Sequence, residues 1–468
     1  MEEHVPSSGG PPPFAVPAGG HHHLAAYTVS SPQPQQAPAS QPVTPSRVPV
    51  HLDPLQSSSP ISAAPERPSL SRVRREVHQR RYKTAIQMCE QALQSGGAGS
   101  QLAPTEVIAW HTVRIYCLLK RQEYQQADEA LARLGSFEAP KWRYEQHPDL
   151  YPGQSGSFVP FVLRQLSAVA PYLANRPQVT LDRLTELQTL CVQHHTDHTD
   201  SEKARQLWLD REIAVICLIA EVHCHPALQN FPEAIRVLQR ALELRPRDRG
   251  TLSMLGRVSL QLGAVESAED YFGLDECLAE KDSALVRANN GHHALASQDY
   301  ATGVKEFEES KQLAEATLQQ HINAARAVLP GGPEPADQAK IARASQACAT
   351  AANNLAVAHF YDKNLPRAKE VLENSLWAQP DVMGLTNNGV IAPAVKNLLS
   401  FWEFDRDKSH TTSALQELIS STCNEDVQVW ESLKTQQGQG GQPGAAGRVA
   451  MGSPPRQAVG IPVVGQAL

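Results

Sequence analysis

Residues 251–272, TLSMLGRVSLQLGAVESAEDYF, have three further counterparts in the chain, and a sequence that repeats at a fixed period has few folds open to it. Within this stretch Leu255-Gly256 is followed by Gly263, then by Ala268 and Phe272. Moving back 34 residues, NFPEAIRVLQRALELRPRD repeats the second half with Phe231, Ala234, Leu238, Ala241 and Pro246. About 35 residues forward, NNGHHALASQDYATGVKEF supplies Gly291, Tyr300, Gly303 and Phe307. A fourth copy, ANNLAVAHFYDKNLPRAKEVLENSLWAQP, supplies Leu355, Ala356, Ala368, Leu372 and Pro380.

This spacing matches the tetratricopeptide (TPR) template, in which small residues let two antiparallel helices approach and large ones fill the space beside them. Pro246 and Pro380 fall where the template ends its second helix, because proline lacks an N–H and clashes with the preceding turn. An ordinary helical bundle with chance small residues would not place both prolines there. The pattern thins upstream: RRYKTAIQMCEQAL gives Tyr82, Ala85, Cys89 and Ala92, and HTVRIYCLLKRQEYQQADEALARLG gives Leu118, Tyr124, Ala127 and Leu131. Residues 161–187 read as a further helix pair, and 394–404 with 412–421 as closing helices that cover the last apolar face. The unit around Ala220 carries about two extra residues within HCHP at 223–226, and 316–346 reads as a long insertion. The expected fold is therefore all-α, a TPR-type α-solenoid of antiparallel helix pairs forming an irregular superhelix.

Composition marks where the repeats stop. Fifteen of the 35 prolines lie in the first seventy residues, among Ser, Gln, Ala and Gly. Such a segment has too little apolar surface to offset the entropy of ordering, so 1–66 reads as a disordered tail, as does the Gly/Pro-rich 436–468. Between them, 67–210 reads as N-terminal helical repeats and 211–435 as the TPR array with its capping helices. A net charge of −7 gives no basic excess of the kind that marks a nucleic-acid footprint. No apolar run is long enough to span a membrane, and no secretory leader is evident. The eight cysteines form no C-x-x-C pair and mostly sit in apolar helical patterns, a usage that suits a reducing compartment.

Catalytic and cofactor motifs are absent from this reading. GQSGS at 153–157 lacks the spacing of a nucleophile elbow, and no phosphate-cradling loop or H-E-x-x-H occurs. His223-Cys224-His225, with His194, His195 and His198, is the tightest His/Cys group, but adjacent helical residues face different ways. Surface and loop histidines are the simpler reading, and neither metal nor cofactor is expected. Glu266, Glu269, Asp270, Glu306, Glu308 and Glu309 read as a solvated outer face. Arg72, Arg74, Arg75, Arg80 and Arg81 cluster at the start of the array, either as a soluble helix entry or as a contact for an acidic partner or membrane surface.

One stretch departs from a generic TPR. WRYEQHPDLYPGQSGSFVPF, residues 142–161, is too rich in aromatics, Pro and Gly to be a helix. Tyr151-Pro152-Gly153 reads as a turn, with Gly153 at positive φ if the turn is type II. Two readings of this connector stay open: it packs its aromatics under the solenoid, or it is a partner-binding loop held by a rigid scaffold. Tyr151, Pro152, Gly153, Gly156, Val159 and Phe161 are the candidate binding residues.

HPDLYPGQSGSFVPF, RQLSAVAPYLANRPQVTLDRL and LGRVSLQLGAVESAEDYF together resemble the family of the twelfth subunit of the transport protein particle (TRAPP) complex. The likeness runs over roughly residues 70–435 and includes KNLLSFWEFDRDKSHTTSALQEL near the end. The resemblance implies a non-catalytic, peripheral subunit of a vesicle-tethering complex that activates a Rab GTPase in endoplasmic reticulum to Golgi transport, with links to autophagy. It implies other TRAPP subunits as partners and a cytoplasmic location at the Golgi and the ER–Golgi intermediate compartment. The alternative is a TPR co-chaperone or other adaptor binding peptide tails. Its groove would be lined by Lys, Arg and Asn, whereas the inward positions here are Ser253, Arg257, Leu260, Leu295, Asn353 and Phe360, mostly uncharged.

Overall fold

Seven times among the described residues a helix ends, one residue takes a positive φ, and the next helix runs back. These residues are Arg80 (56°), Gln122 (60°), Asn175 (58°), Gln229 (48°), Gly263 (86°), Gln298 (64°) and Lys363 (64°). At six of the turns the following residue donates its N–H to the carbonyl five positions back: Arg81 to Glu76, Glu123 to Leu118, Arg176 to Pro171, Ala264 to Ser259, Asp299 to Ala294 and Asn364 to His359. That bond satisfies a carbonyl the helix end would otherwise leave open. At the seventh turn Asn230 reaches back seven positions to His223, so the two extra residues of this unit are absorbed there.

The structure is a computed structural model. It describes residues 68–95, 102–197, 201–279, 283–327, 335–377, 391–404 and 409–422, with scattered positions from 425 to 433. The tails expected at 1–66 and 436–468, and Pro380, lie outside the described residues. The turns join seven helix pairs. The first four are α1 (Leu70–His78) with α2 (Tyr82–Ser95), α3 (Pro104–Lys120) with α4 (Tyr124–Leu134), α5 (Phe161–Leu173) with α6 (Pro177–Asp197), and α7 (Glu202–His223) with α8 (Phe231–Leu244). The others are α9 (Arg249–Leu262) with α10 (Val265–Leu278), α11 (Ala284–Ala296) with α12 (Tyr300–Ala327), and α13 (Pro335–Tyr361) with α14 (Leu365–Trp377). Two closing helices follow, α15 (Ala392–Trp402) and α16 (Ser409–Thr422).

Side-chain caps fix several helix starts: Ser69, Ser201, Asn230 and Asp248 each accept a first-turn N–H. Each cap contributes about 1 kcal/mol. From α1 to α15 successive helices pack on one another, and beyond the connector α5 rests on α3 as well as on α4. α9 also meets α11, and α13 meets α15, so at these two places alternate helices lie side by side. The chain is an all-α, TPR-type solenoid, and no strand is found among the described residues.

The template residues sit inside it. Ala234, Leu255, Ala268, Phe307, Ala356 and Ala368 are fully enclosed, and Phe272 and Gly291 are buried. Pro246 is exposed, two residues beyond the last turn of α8. Within the insertion expected at 316–346, residues 316–327 and 335–346 are helical. α12 runs for 28 residues and α13 for 27, so most of that stretch extends a helix pair. Ile322 and Ala325 pack against Ile341 along the extension, and that apolar seam makes continued helix more favourable than a loop.

The boundary drawn at 210/211 falls within α7. One cluster joins Ala168, Leu184 and Cys191 to Val215, Leu218 and Val222, so the core is continuous across it. The two ends of the array are not independent either. α1 lies against α13, the Lys83 amide donates to the Glu425 carboxylate, and Gln122 Nε2 donates to Glu431 Oε2 at 3.1 Å. The extension of α13 carries Arg343 within electrostatic reach of His78 on α1.

Two surface assignments also change. Glu306 and Glu309 are not simply solvated: both pair with Arg287, at 3.2 and 3.1 Å, and Glu306 is largely buried. In the arginine cluster, Arg80 is buried at the first turn and Arg81 pairs with Glu76.

Candidate functional site

The connector between α4 and α5 is ordered by its own backbone. Two short 3-10 turns, Pro140–Trp142 and Tyr144–Gln146, lead into it. Arg143 and Ser157 then form an isolated antiparallel bridge, with Tyr144 N donating to Gly156 O and Phe158 N to Trp142 O, both at 3.0 Å. The Tyr151–Gln154 turn closes through Gln154 N to Tyr151 O at 3.2 Å, with Gly153 at φ 73°. Gly156, at φ 92°, donates its N–H to Glu145 Oε1 at 2.9 Å, and Arg143 holds the same oxygen at 3.1 Å. The Gly156 hydrogen bond is the largest of the effects that hold the Glu145 carboxyl down at about 2.

Its aromatics turn inward. Trp142 and Phe158 are buried edge to face at 6.1 Å, and the indole N–H donates to Leu134 O at 3.2 Å. Tyr144 stands 5.2 Å from Tyr151 and 5.4 Å from Phe158, spacings typical of favourable ring pairs. The Tyr151 hydroxyl lies 2.7 Å from Thr105 Oγ1 on α3, tying the loop to the preceding helix pair. Of the six candidate residues, Val159 is buried, Tyr151 and Gly156 are half-buried, and only Pro152 and Gly153 are exposed. The face left open is Pro148, Asp149, Leu150, Pro152 and Gly153, with Leu150 57% exposed.

Phe161 leaves this group. Its ring meets Trp208 of α7 edge to face at 5.9 Å. The Arg211 guanidinium stands 4.8 Å from the Phe161 ring centre and 4.3 Å from that of Trp208. His194 of α6 stacks on Trp208 at 4.2 Å. Helical spacing alone puts Trp208 and Arg211 on one side of α7, but nothing local in the sequence brings Phe161 or His194 to them.

A second polar group joins α9, α10 and α11. Asp275, almost fully buried, accepts from Arg249 Nε at 2.7 Å and from Asn289 Nδ2 at 3.1 Å. Asn289 Oδ1 in turn accepts from Ser253 at 3.0 Å and from Arg257 Nε at 3.2 Å. Burial and the neighbouring Arg257 push the His292 imidazole down to about 3. Of the inward positions named from sequence, Ser253 and Asn353 are buried, and Asn353 accepts from Asn397 at 2.9 Å. These groups are committed to one another, which leaves few of them to clamp a peptide carboxylate.

Of the histidines considered for metal binding, His195 faces Glu212 at 3.7 Å, His225 packs on Tyr172, and His198 lies outside the described residues. No group of three or more His, Cys, Asp or Glu among the described residues is placed to hold a metal. No helix among them is long and apolar enough to cross a membrane.

No family model matches the chain. The human protein named trafficking protein particle complex subunit 12 is 27% identical over 259 residues, covering 49% of this chain and 35% of that protein. Its mouse counterpart is 26% identical over 257 residues, covering 49% and 32%. The aligned stretch thus spans about a third of either relative. Among solved structures, the Cut9–Hcn1 hetero-tetramer of the APC/C is similar over 77% of this chain and 54% of that one, at 12% identity and TM-score 0.34. The TPR domain of P58(IPK) is similar over 79% and 97%, at 11% identity and TM-score 0.19. The sequence similarity to TRAPP subunit 12 covers about half of a chain that folds as a helical-repeat solenoid.

Proposed function

We propose that this chain is a non-enzymatic scaffold subunit of a TRAPP-type vesicle-tethering complex. The observation that carries the reading is the 259-residue similarity to subunit 12 of that complex, found in a chain built as a solenoid. A solenoid suits the role physically, because stacked pairs present long continuous surfaces on which several subunits can lie at once. In this reading its partners are other TRAPP subunits, the assembled complex activates a Rab GTPase, and the site of action is endoplasmic reticulum to Golgi transport, with a link to autophagy. Membrane association is peripheral, through the complex, on the cytoplasmic side of the Golgi and the ER–Golgi intermediate compartment. The open edge of the connector, from Pro148 to Gly153, is one contact for a neighbouring subunit.

The test is affinity purification of the tagged full chain from its own cells, with mass spectrometry of what co-purifies. Recovery of other TRAPP subunits supports the reading. Recovery of chaperones without tethering subunits favours a TPR adaptor instead, and the assignment then fails. The internal bonding of Ser253, Asn289 and Asp275 argues against that adaptor reading.

A further inference from the structure

We propose that the platform formed by Trp208 and Arg211 on α7 is a docking site for an acidic peptide segment of a partner protein, one carboxylate seating on the Arg211 guanidinium and an apolar side chain on Leu207. The proposal rests on the scaffold reading and names the chemistry of one contact. Arg211 packs in the corner that the edge-to-face rings of Phe161 and Trp208 form, yet lacks a counter-charge. Among the described residues no carboxylate, hydroxyl or carbonyl accepts a hydrogen bond from it, and its nitrogens are not sealed from solvent. Of the acids on the same helix, Glu202 pairs with Arg205, Asp210 with Arg245, and Glu212 faces His195, while Glu221, ten residues further along, is not among the charges acting on Arg211. Burial lowers the pKa of the Arg211 guanidinium, the mark of a cation that has lost water without gaining an anion.

The surroundings fit a short peptide. Leu207, 48% exposed, lies one turn before Arg211, and exposed Lys203 lies one turn before that. Two rings restrict the guanidinium, so little side-chain entropy remains to be lost when a carboxylate binds its fork. Trp and Arg beside exposed apolar surface is the composition of an interface anchor. Nucleic acid fits less well: phosphates along a strand call for a row of cations, and the chain carries a net charge of −7.

The experiment titrates the purified full chain into a dye-labelled peptide, Glu-Asp-Leu-Glu-Phe-Glu-Asp, and follows fluorescence anisotropy. The controls are the same peptide with Gln and Asn for Glu and Asp, and a ten-nucleotide oligouridine. The acidic peptide should bind about tenfold or more tightly than its amide counterpart, and Arg211→Gln should weaken it by a similar factor. Leu207→Ser, at a position 48% exposed, should weaken it less, with circular dichroism confirming that the variant stays folded. Equal affinity for the acidic and amide peptides, or full affinity in Arg211→Gln, overturns the proposal. Arg211-dependent binding of oligouridine tighter than that of the peptide overturns it as well. Co-purification of TRAPP subunits is scored separately. Its loss with peptide discrimination intact removes the complex assignment and leaves the platform. Its persistence without discrimination removes the platform alone.

Discussion

A Cβ placed on Gly256 would lie 2.6 Å from Cδ1 and Cζ of the Phe272 ring, and closer still to Cε1. The absence of a side chain at Gly256 is what lets the ring pass between α9 and α10. One repeat later the same relation holds, with a Cβ on Gly291 falling 2.8 Å from the Phe307 ring. Gly256→Ala should therefore destabilise the protein by about 1–3 kcal/mol, although alanine is the better helix former. Phe272→Ala should cost about 3–5 kcal/mol through the cavity it leaves. Combining Gly256→Ala with Phe272→Leu should cost less than the sum, since a smaller side chain makes room for the methyl. Urea denaturation of the variants checks all three, and strict additivity would contradict the contact.

Asp275 ties three helices together through Arg249, Asn289 and, beyond Asn289, Ser253 and Arg257. Asp275→Ala should destabilise by about 2–4 kcal/mol, less than for a fully enclosed pair because Arg249 stays one-third exposed. Asp275→Asn keeps an acceptor and should cost less. A cycle with Arg249→Ala separates the pair energy from the loss of the Asn289 contact. A variant as stable as the parent would show the network to be ornamental to folding.

The repeat was legible because its residues answer a size constraint: Gly256 and Gly291 stand where a ring arrives, and Ala268 and Ala368 where a helix does. The turns were less so. Gln122, Gln298 and Lys363 take the left-handed conformation that Gly263 takes, and no residue preference marks them. The extensions of α12 and α13 are hidden in the sequence because their seam is short, with polar residues such as Gln319 and Asn323 around it. Phe161 was grouped with the connector by proximity in sequence, but its neighbours Trp208 and Arg211 come from α7. Likewise Arg287 finds Glu306 and Glu309 only once α11 and α12 are paired.

The connector should loosen in acid. The Glu145 carboxyl is held at about 2, below its usual 4.5, chiefly by the Gly156 N–H. A depressed folded-state pKa contributes stability above the unfolded value, and that contribution is lost as pH falls through the folded one. Glu145→Gln should lower the melting temperature at pH 6, and the gap to the parent should shrink as pH falls from 4.5 toward 2. Thermal melts across that window check it, and a gap independent of pH would mean the carboxylate charge is not what holds Gly156.

Glu221, on α7, behaves in the opposite sense. Burial lifts its carboxyl from 4.5 to about 7, with no cation beside it to oppose the shift. The folded protein therefore binds this proton more tightly than the unfolded chain. The stability associated with the proton is fully present below pH 4.5 and is lost as pH rises through about 7. The penalty at pH 8 is about 3 kcal/mol, because the carboxyl rises from 4.5 to about 7 and each pH unit corresponds to ~1.36 kcal/mol. Glu221→Gln removes the ionisation while keeping the size of the side chain. It should match the parent near pH 4.5 and exceed it by about 1–3 kcal/mol at pH 8, with the difference opening between those values. Urea denaturation at both pH values checks the sign as well as the size. Equal stability at pH 8 would mean that α7 shifts to give Glu221 water, and the buried carboxyl would then carry no cost.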